Sequence, residues 1–409
     1  MAIPSIALIP SGYKANKVYS VLPTDGAGDL TFTRASSATR VNKEGLLETV
    51  ATGVPRLDYS AGGCPSLLLE PQSTNLLLRS EEFNDASWTR LNSTITDNSV
   101  IALDGTLTAD KSILNVGVNP LAPDGTGVSQ NQTVTSGVYT YSIFAKAGER
   151  NIIRFRDGGS TGGYLVVNLS NGTFTNAAPS RFVNPQVISY TNGWYRIIFT
   201  TATITNPNVY PLRFGDTGET GDGFSGGFIW GAQLEAGSYA TSYIPTAGAI
   251  STRIEDTANG AGDASTFNDS EGVLFAEISA LADDLTNRAI SLSDGTADNG
   301  IQIFYYNVSN RIRCRVYSGG VLQDTINIIG YTITDTHKIA LKWGSGFMSV
   351  FIDGVINDAA LAITSTPVGL DRLNLDLGQG SSDFYGKVKG LQVFTTALTD
   401  AELITLTTL

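Results

Sequence analysis

Residues 228–253 read FIWGAQLEAGSYATSYIPTAGAISTR. Phe228-Ile229-Trp230 is a strand-like run, Gly231 interrupts it, and Ala232-Gln233-Leu234-Glu235 resumes an apolar/polar alternation. The stretch then leaves through Tyr239, Thr241, Ser242, Tyr243, Ile244 and Pro245. A strand with a Tyr- and Pro-rich exit closes one β-domain and hands the chain to the next. Residues before it build toward that closure. Residues after Arg253 keep a different rhythm.

Composition agrees with a β-protein. The chain has 409 residues, room for two or three domains. Hydrophobic residues make up 42% and charged residues only 16%, below the usual value of about 25%. With 44 glycines, this argues for sheets joined by tight turns and little helix. The net charge of −12 speaks against nucleic acid, which needs a basic surface. No run approaches the ~18 apolar residues of a membrane span. Cys64 and Cys314 fall in different expected domains, so free thiols are expected rather than a disulfide framework. The opening MAIPSIALIPSGYK has no basic segment before its apolar residues, and Pro4 and Pro10 interrupt it, so no secretion signal is expected.

In chain order, residues 1–80 show short β-type runs such as Leu30-Thr31-Phe32-Thr33 and Ser66-Leu67-Leu68-Leu69, with a thin core. Two readings stand for them: an arm packed on a neighbouring domain, or an attachment region that gains its core from another subunit. Residues 81–247 read as a sandwich. Tyr139, Tyr141, Ile143 and Ala145 alternate with Thr140, Ser142, Phe144 and Lys146. Asn171-Gly172 and Asn192-Gly193 mark hairpins, because Asn-Gly takes the two positive-φ positions of a type I′ turn. Residues 248–269 are a linker rich in Gly, Ala, Ser and Thr. From 270 to 409 the alternation is clean: Arg311, Arg313 and Arg315 face one way, and Ile312, Cys314 and Val316 the other. Thr399-Asp400-Ala401-Glu402 is a capping box before a short final helix.

Three groups of phrases carry a resemblance. IWGAQLEAGSYATSYIPT resembles the closing strand of carbohydrate-binding-module-like jelly rolls in virion proteins of tailed bacteriophages. FTRASSATRVNKEGLLE (residues 32–48) and PSLLLEPQSTNLL (65–77) resemble N-terminal phrases of phage tail-fibre and other virion-surface proteins. HKIALKWGSGFMSVFIDGVI and GKVKGLQVFTTALTDAELITL resemble the closing half of laminin-G/concanavalin-A-like sandwiches. The resemblance implies an all-β chain: an extended N-terminal attachment region, an antiparallel jelly roll, then a laminin-G/concanavalin-A-like sandwich. It also implies a non-enzymatic fibre or spike-type adhesin on the virion surface, made in the host bacterial cytoplasm. Its partners would be other virion proteins, through the N-terminal region, and a bacterial surface glycan. Leu67–Leu69 and Leu76–Leu78 would meet water in an isolated arm, so packing against copies of itself is expected, and the resemblance to phage fibres implies a homotrimer. A capsid or tail decoration protein and a polysaccharide depolymerase are the alternatives.

Carboxylates are plentiful, so composition does not exclude a glycosidase pair; other residues that could do chemistry are few. His337 is the single histidine, so a His-based metal centre or triad has no second member, and a surface or strand-edge role is the plainer reading. Asp216-Glu219-Asp222 and Asp294 with Asp298 lie in Gly-rich turns. Solvated turn carboxylates explain them, with structural calcium as the alternative to no cofactor at all. Sugar binding would use an exposed aromatic ring beside hydrogen-bonding groups. The candidates are Trp194 with Arg154 and Arg156 in the middle sandwich, and Tyr305 with Arg311 and Arg313 in the last. Core packing is the competing reading for both rings.

Overall fold

The stretch at 228–253 is organised around one eleven-residue strand, Gly226–Ala236, in a computed structural model. This structure describes residues 2–121, 127–156, 163–203 and 212–409. The strand lies between Ala109–Leu114 and Tyr139–Lys146, antiparallel to both. Its pattern breaks at Gly231, where φ is +60° and the register against Tyr139–Lys146 shifts between Ser142 and Phe144. The shift is a β-bulge, which moves every following side chain to the other phase. Ile229 points into the sandwich before it, and Ala232 and Leu234 after it. Glycine suits the bulge because an added Cβ would stand 2.9 Å from the Phe144 ring.

The chain divides into two units. One comprises Val41–Thr49 and Gln72–Arg253; the other comprises Met1–Arg40, Val50–Pro71 and Ile254–Leu409. The first is an antiparallel sandwich of two six-stranded sheets. Gly226–Ala236, Tyr139–Lys146 and Trp194–Thr201 are central to one sheet; Leu212–Phe214, Ile152–Arg156 and Tyr164–Asn168 are central to the other. Between them lies a core that includes Tyr141, Ile143, Phe155, Leu165, Phe199 and Phe214. A smaller aromatic cluster of Phe144, Trp194, Trp230 and Tyr243 packs on the outer side of the first sheet. Asn192 and Gly193 both take positive φ as expected, whereas at Asn171-Gly172 only the glycine does. Both positions are turns, but the second is not type I′.

The other unit is a second antiparallel sandwich. Its larger sheet runs Val355–Leu361, Phe347–Ile352, His337–Gly344, Gly272–Ala280, Gly386–Phe394, Ser66–Leu69, Leu57–Asp58. Ile6–Leu8 pairs with the far half of Gly386–Phe394, so one strand edge is covered in tandem by two N-terminal segments. The facing sheet has five strands: Val321–Ile328, Ile312–Ser318, Gly300–Tyr305, Arg288–Ser293 and Arg372–Asn374. Ile312, Cys314 and Val316 face the shared core. The capping box forms as read: the Thr399 hydroxyl accepts from the Glu402 amide, and the Glu402 carboxylate accepts from the Thr399 amide at 3.0 Å. The helix Asp400–Thr407 lays Leu403 on Phe275, Ala340 and Phe351.

The expectation of a separate region at 1–80 is corrected by this pairing. Met1–Arg40 and Val50–Pro71 belong to the same unit as the last sandwich, Val41–Thr49 to the other, and Leu67, Leu68 and Leu69 are buried in the former. Four buried charges tie the segments together. Arg34 meets Asp256 at 3.1 Å, Arg56 binds both Glu70 and Asp256, and Asp256 also accepts the Glu70 amide at 2.9 Å. Burial alone would lower the Arg56 pKa, but the two carboxylates outweigh it and hold it above its ordinary value.

Candidate functional site

In the middle sandwich the structure separates the expected set. Trp194 belongs to one sheet, and Arg154 and Arg156 to the other. Trp194 is 1% exposed within the outer aromatic cluster. A stacking platform must offer a ring face, so the assignment of Trp194 to sugar binding is corrected to packing. Arg154 is held at home: Nη2 donates to Asp216 at 2.7 Å and Nε to the Gly215 carbonyl at 2.9 Å. Arg156 is buried on the same face. Arg213 stands opposite Arg154 in register and donates to the Tyr164 hydroxyl at 3.1 Å. Burial lowers the Arg213 pKa, and its neighbours Arg156 and Arg154 add to that.

In the last sandwich the expected set is one residue out of phase. Tyr305 is 1% exposed, faces the core beside Phe384, and donates to the Ile278 carbonyl at 3.0 Å. Its assignment to a sugar site is corrected for the same reason as that of Trp194. The rings on the outer face of the five-stranded sheet are the adjacent ones, Phe304, itself buried, and Tyr306, half-buried. The Arg313 guanidinium lies 3.3 Å from the Tyr306 ring centre, and that of Arg315 lies 4.1 Å from Phe304 and 5.4 Å from Tyr317. Arg311 and Arg313 are half-buried on this face, as is Arg315.

Strand pairing turns this face into ordered rows. One row runs Asn374, Ser291, Gln302, Arg315, Thr325 across all five strands. The next runs Ala289, Phe304, Arg313, Asn327, and Arg313 Nε donates to Asn327 Oδ1 at 2.7 Å. The first row is polar throughout, although Ser291 is 0% and Gln302 3% exposed. Ser291 Oγ, Gln302 Oε1 and the Nε atoms of Arg311 and Arg315 are buried with no hydrogen-bond partner. Leaving such an atom unpaired costs about 1–3 kcal/mol, and native interiors avoid it. Several on one sheet face leave hydrogen-bonding capacity there unused by the fold, at atoms buried from solvent.

The remaining candidates have structural occupations. His337 is buried, not at the surface: Nδ1 lies 2.6 Å from Asp353 Oδ2 and Nε2 lies 3.0 Å from the Thr332 carbonyl. Asp222 caps the amides of Phe224 and Ser225, Glu219 pairs with Arg150, and Asp294 caps Thr296. Among the described residues no group of three His, Cys, Asp or Glu side chains could hold a metal ion. No helix among them is long and apolar enough to cross a membrane. Cys64 is exposed; Cys314 is buried, and burial pushes its thiol pKa up.

Ser291, Gln302, Phe304, Tyr306 and Arg315 were not candidates on sequence. The signal that could have found them was available: Arg311, Arg313 and Arg315 define an outward phase, and hairpin register carries that phase to the neighbouring strand.

No family model matches this chain, and no curated protein does. Among solved structures it is similar to the Ruminococcus gnavus IT-sialidase CBM40 bound to α2,3-sialyllactose. That match has 18% identity, covers 36% of this chain and 93% of that one, and has a TM-score of 0.31. A Caenorhabditis elegans galectin, LEC-6, matches at 15% identity over 31% of this chain and 84% of its own, with a TM-score of 0.24. Domains LG4-5 of the mouse laminin α1 chain match at 8% identity over 80% and 91%, with a TM-score of 0.24. All three superpose weakly.

Proposed function

We propose that this chain is a non-enzymatic glycan-binding protein of a phage virion surface, a fibre or spike-type adhesin. The outer face of the five-stranded sheet is its sugar platform. The observation that carries the reading is the row Ser291, Gln302, Arg315. Its buried donors and acceptors have no partner in the fold, and the half-buried Arg313 and Arg315 on the same face rest against Tyr306, Phe304 and Tyr317, so a sugar reaches the row by displacing side chains over it. Sugar hydroxyls both donate and accept, and apolar sugar faces suit the half-buried rings of Tyr306 and Tyr317, whereas Phe304 is buried. The virion part rests on the phrases at 32–48 and 65–77. On that reading the N-terminal segments meet other virion proteins, the chain is a homotrimer on the particle surface, and repeated weak contacts gain strength by display.

The test uses Gln302→Met, which keeps volume and removes the acceptor. If the platform binds sugar, the variant loses binding to host surface polysaccharide while its melting temperature stays level or rises. Unchanged binding by a folded variant would rule the platform out.

The buried charge network favours a second reading. Arg34 and Glu70 lie within the fibre-like phrases and Arg56 between them, and all three serve internal ion pairs. A capsid or tail decoration protein with a purely structural role would keep them for stability alone. Labelled particles together with a null result for glycan binding would select it.

A further inference from the structure

We infer that the saccharide taken by the five-stranded sheet is acidic, and that its anionic group is received between Arg313 and Arg315. The inference rests on the sugar-platform reading and names the ligand class. The chain carries 26 Lys and Arg against 38 Asp and Glu, so a basic side chain here would ordinarily find a carboxylate. Arg34, Arg56, Arg150, Arg154, Arg288 and Arg372 each do. Among the described residues, Arg311, Arg313 and Arg315 form no ion pair, although they follow one another on one strand face. Neighbours of like sign on one face repel. Burial and the nearby Arg313 both lower the Arg315 pKa. Their charge is met within the fold by aromatic rings and, for Arg313, by Asn327, but by no carboxylate, which leaves room for an anion from outside.

The geometry suits an anion borne on a sugar. Arg313 and Arg315 rest against Tyr306 and Phe304. Stacking uses the faces of a guanidinium and leaves its in-plane N–H groups, which receive a carboxylate two at a time. Arg315 Nε is one such donor without a partner, and Gln302, directly opposite, holds an unpartnered oxygen; both atoms are buried as they stand, so a sugar hydroxyl reaches that oxygen only when the side chains over it swing aside. A bare anion would leave that oxygen unused, and a neutral sugar would leave the arginines unused. A saccharide carrying an anionic group satisfies both.

The experiment titrates the full-length chain with a panel of oligosaccharides containing uronic or sialic acid, with their carboxyl-reduced counterparts, with sulfated and phosphorylated sugars, and with free sulfate and glucuronate. Binding of acidic members is expected to exceed that of the reduced counterparts by at least tenfold and to weaken with added salt. Arg315→Gln and, separately, Arg313→Gln should each lower it by about tenfold to a hundredfold, with melting temperatures near that of the parent. Arg315→Lys, which keeps the charge but not the fork, should fall between. The carboxylate and the sulfate or phosphate arms identify which acid is read. Equal binding of the neutral counterparts would overturn the inference and leave the platform standing. Binding of free sulfate or glucuronate as tightly as the oligosaccharides would overturn the saccharide part. Failure of every member to bind would overturn both.

Discussion

At the scale of single residues, burial decides which aromatic rings and charges serve the fold. Trp194→Ala should cost about 3–5 kcal/mol in urea unfolding, and a folded variant with unchanged stability would return the indole to the list of surface rings. Asp256→Ala would leave Arg34 and Arg56 without their shared carboxylate and should cost about 3–5 kcal/mol. Asp110 gives a pH signature. Burial pushes its pKa up to about 6 from 3.8, against the pull of the Phe83 and Asn98 amides it accepts. The folded chain therefore holds a proton that the unfolded chain releases, and this group's contribution falls as pH rises from about 4 to about 6. Asp110→Asn should gain relative to the parent across that window and run parallel to it above pH 7, as unfolding at several pH values would show. The outward phase of Arg311, Arg313 and Arg315 was legible, because strand alternation needs no partner. Tyr305 was misread because its face depends on pairing with Ile312, a register that the hairpin sets and local alternation does not.

At the scale of elements, the strand Gly386–Phe394 shows where local reading stops. Its own alternation and the capping box after it were visible. Its partners Ile6–Leu8 and Ser66–Leu69 lie at the other end of the sequence, and no period links them. The run Leu67–Leu69 therefore looked like an intersubunit patch, though it is covered within its own unit. Removing residues 1–71 should open the edge of Gly386–Phe394 and abolish cooperative unfolding of the last sandwich. A truncated chain that still melts in one sharp step, with this sandwich intact, would contradict the pairing. Gly231 is a second test: alanine there must adopt φ +60° against Phe144 and should cost about 1 kcal/mol or more. The bulge itself left a trace in the sequence, since the alternation changes phase at that glycine.

At the scale of the whole molecule, two sandwiches were legible from composition and turns, whereas the interleaving of the two units was not. The apolar runs that suggested a trimer are largely accounted for: Leu67–Leu69 and Leu77 are buried and Leu76 and Leu78 half-buried within the chain. A trimer now rests on resemblance to fibre proteins, and light scattering of the full-length chain is its test, because deleting the N-terminal residues would also damage a sandwich. Purified protein incubated with host polysaccharide is expected to release no reducing sugar; sustained release would make it a depolymerase. The discontinuous unit has a consequence for how the chain is made. Every residue of the middle unit leaves the ribosome before residue 254, so that unit has all its strands while translation continues. Leu67 and Leu69 emerge early, but the strand that covers them begins at residue 386, tens of seconds later at ~5–20 residues per second. A nascent chain carries this greasy segment uncovered for most of its synthesis, and a prematurely terminated one carries it always. Chaperones and proteases that recognise such segments can thereby tell an unfinished chain from a complete one.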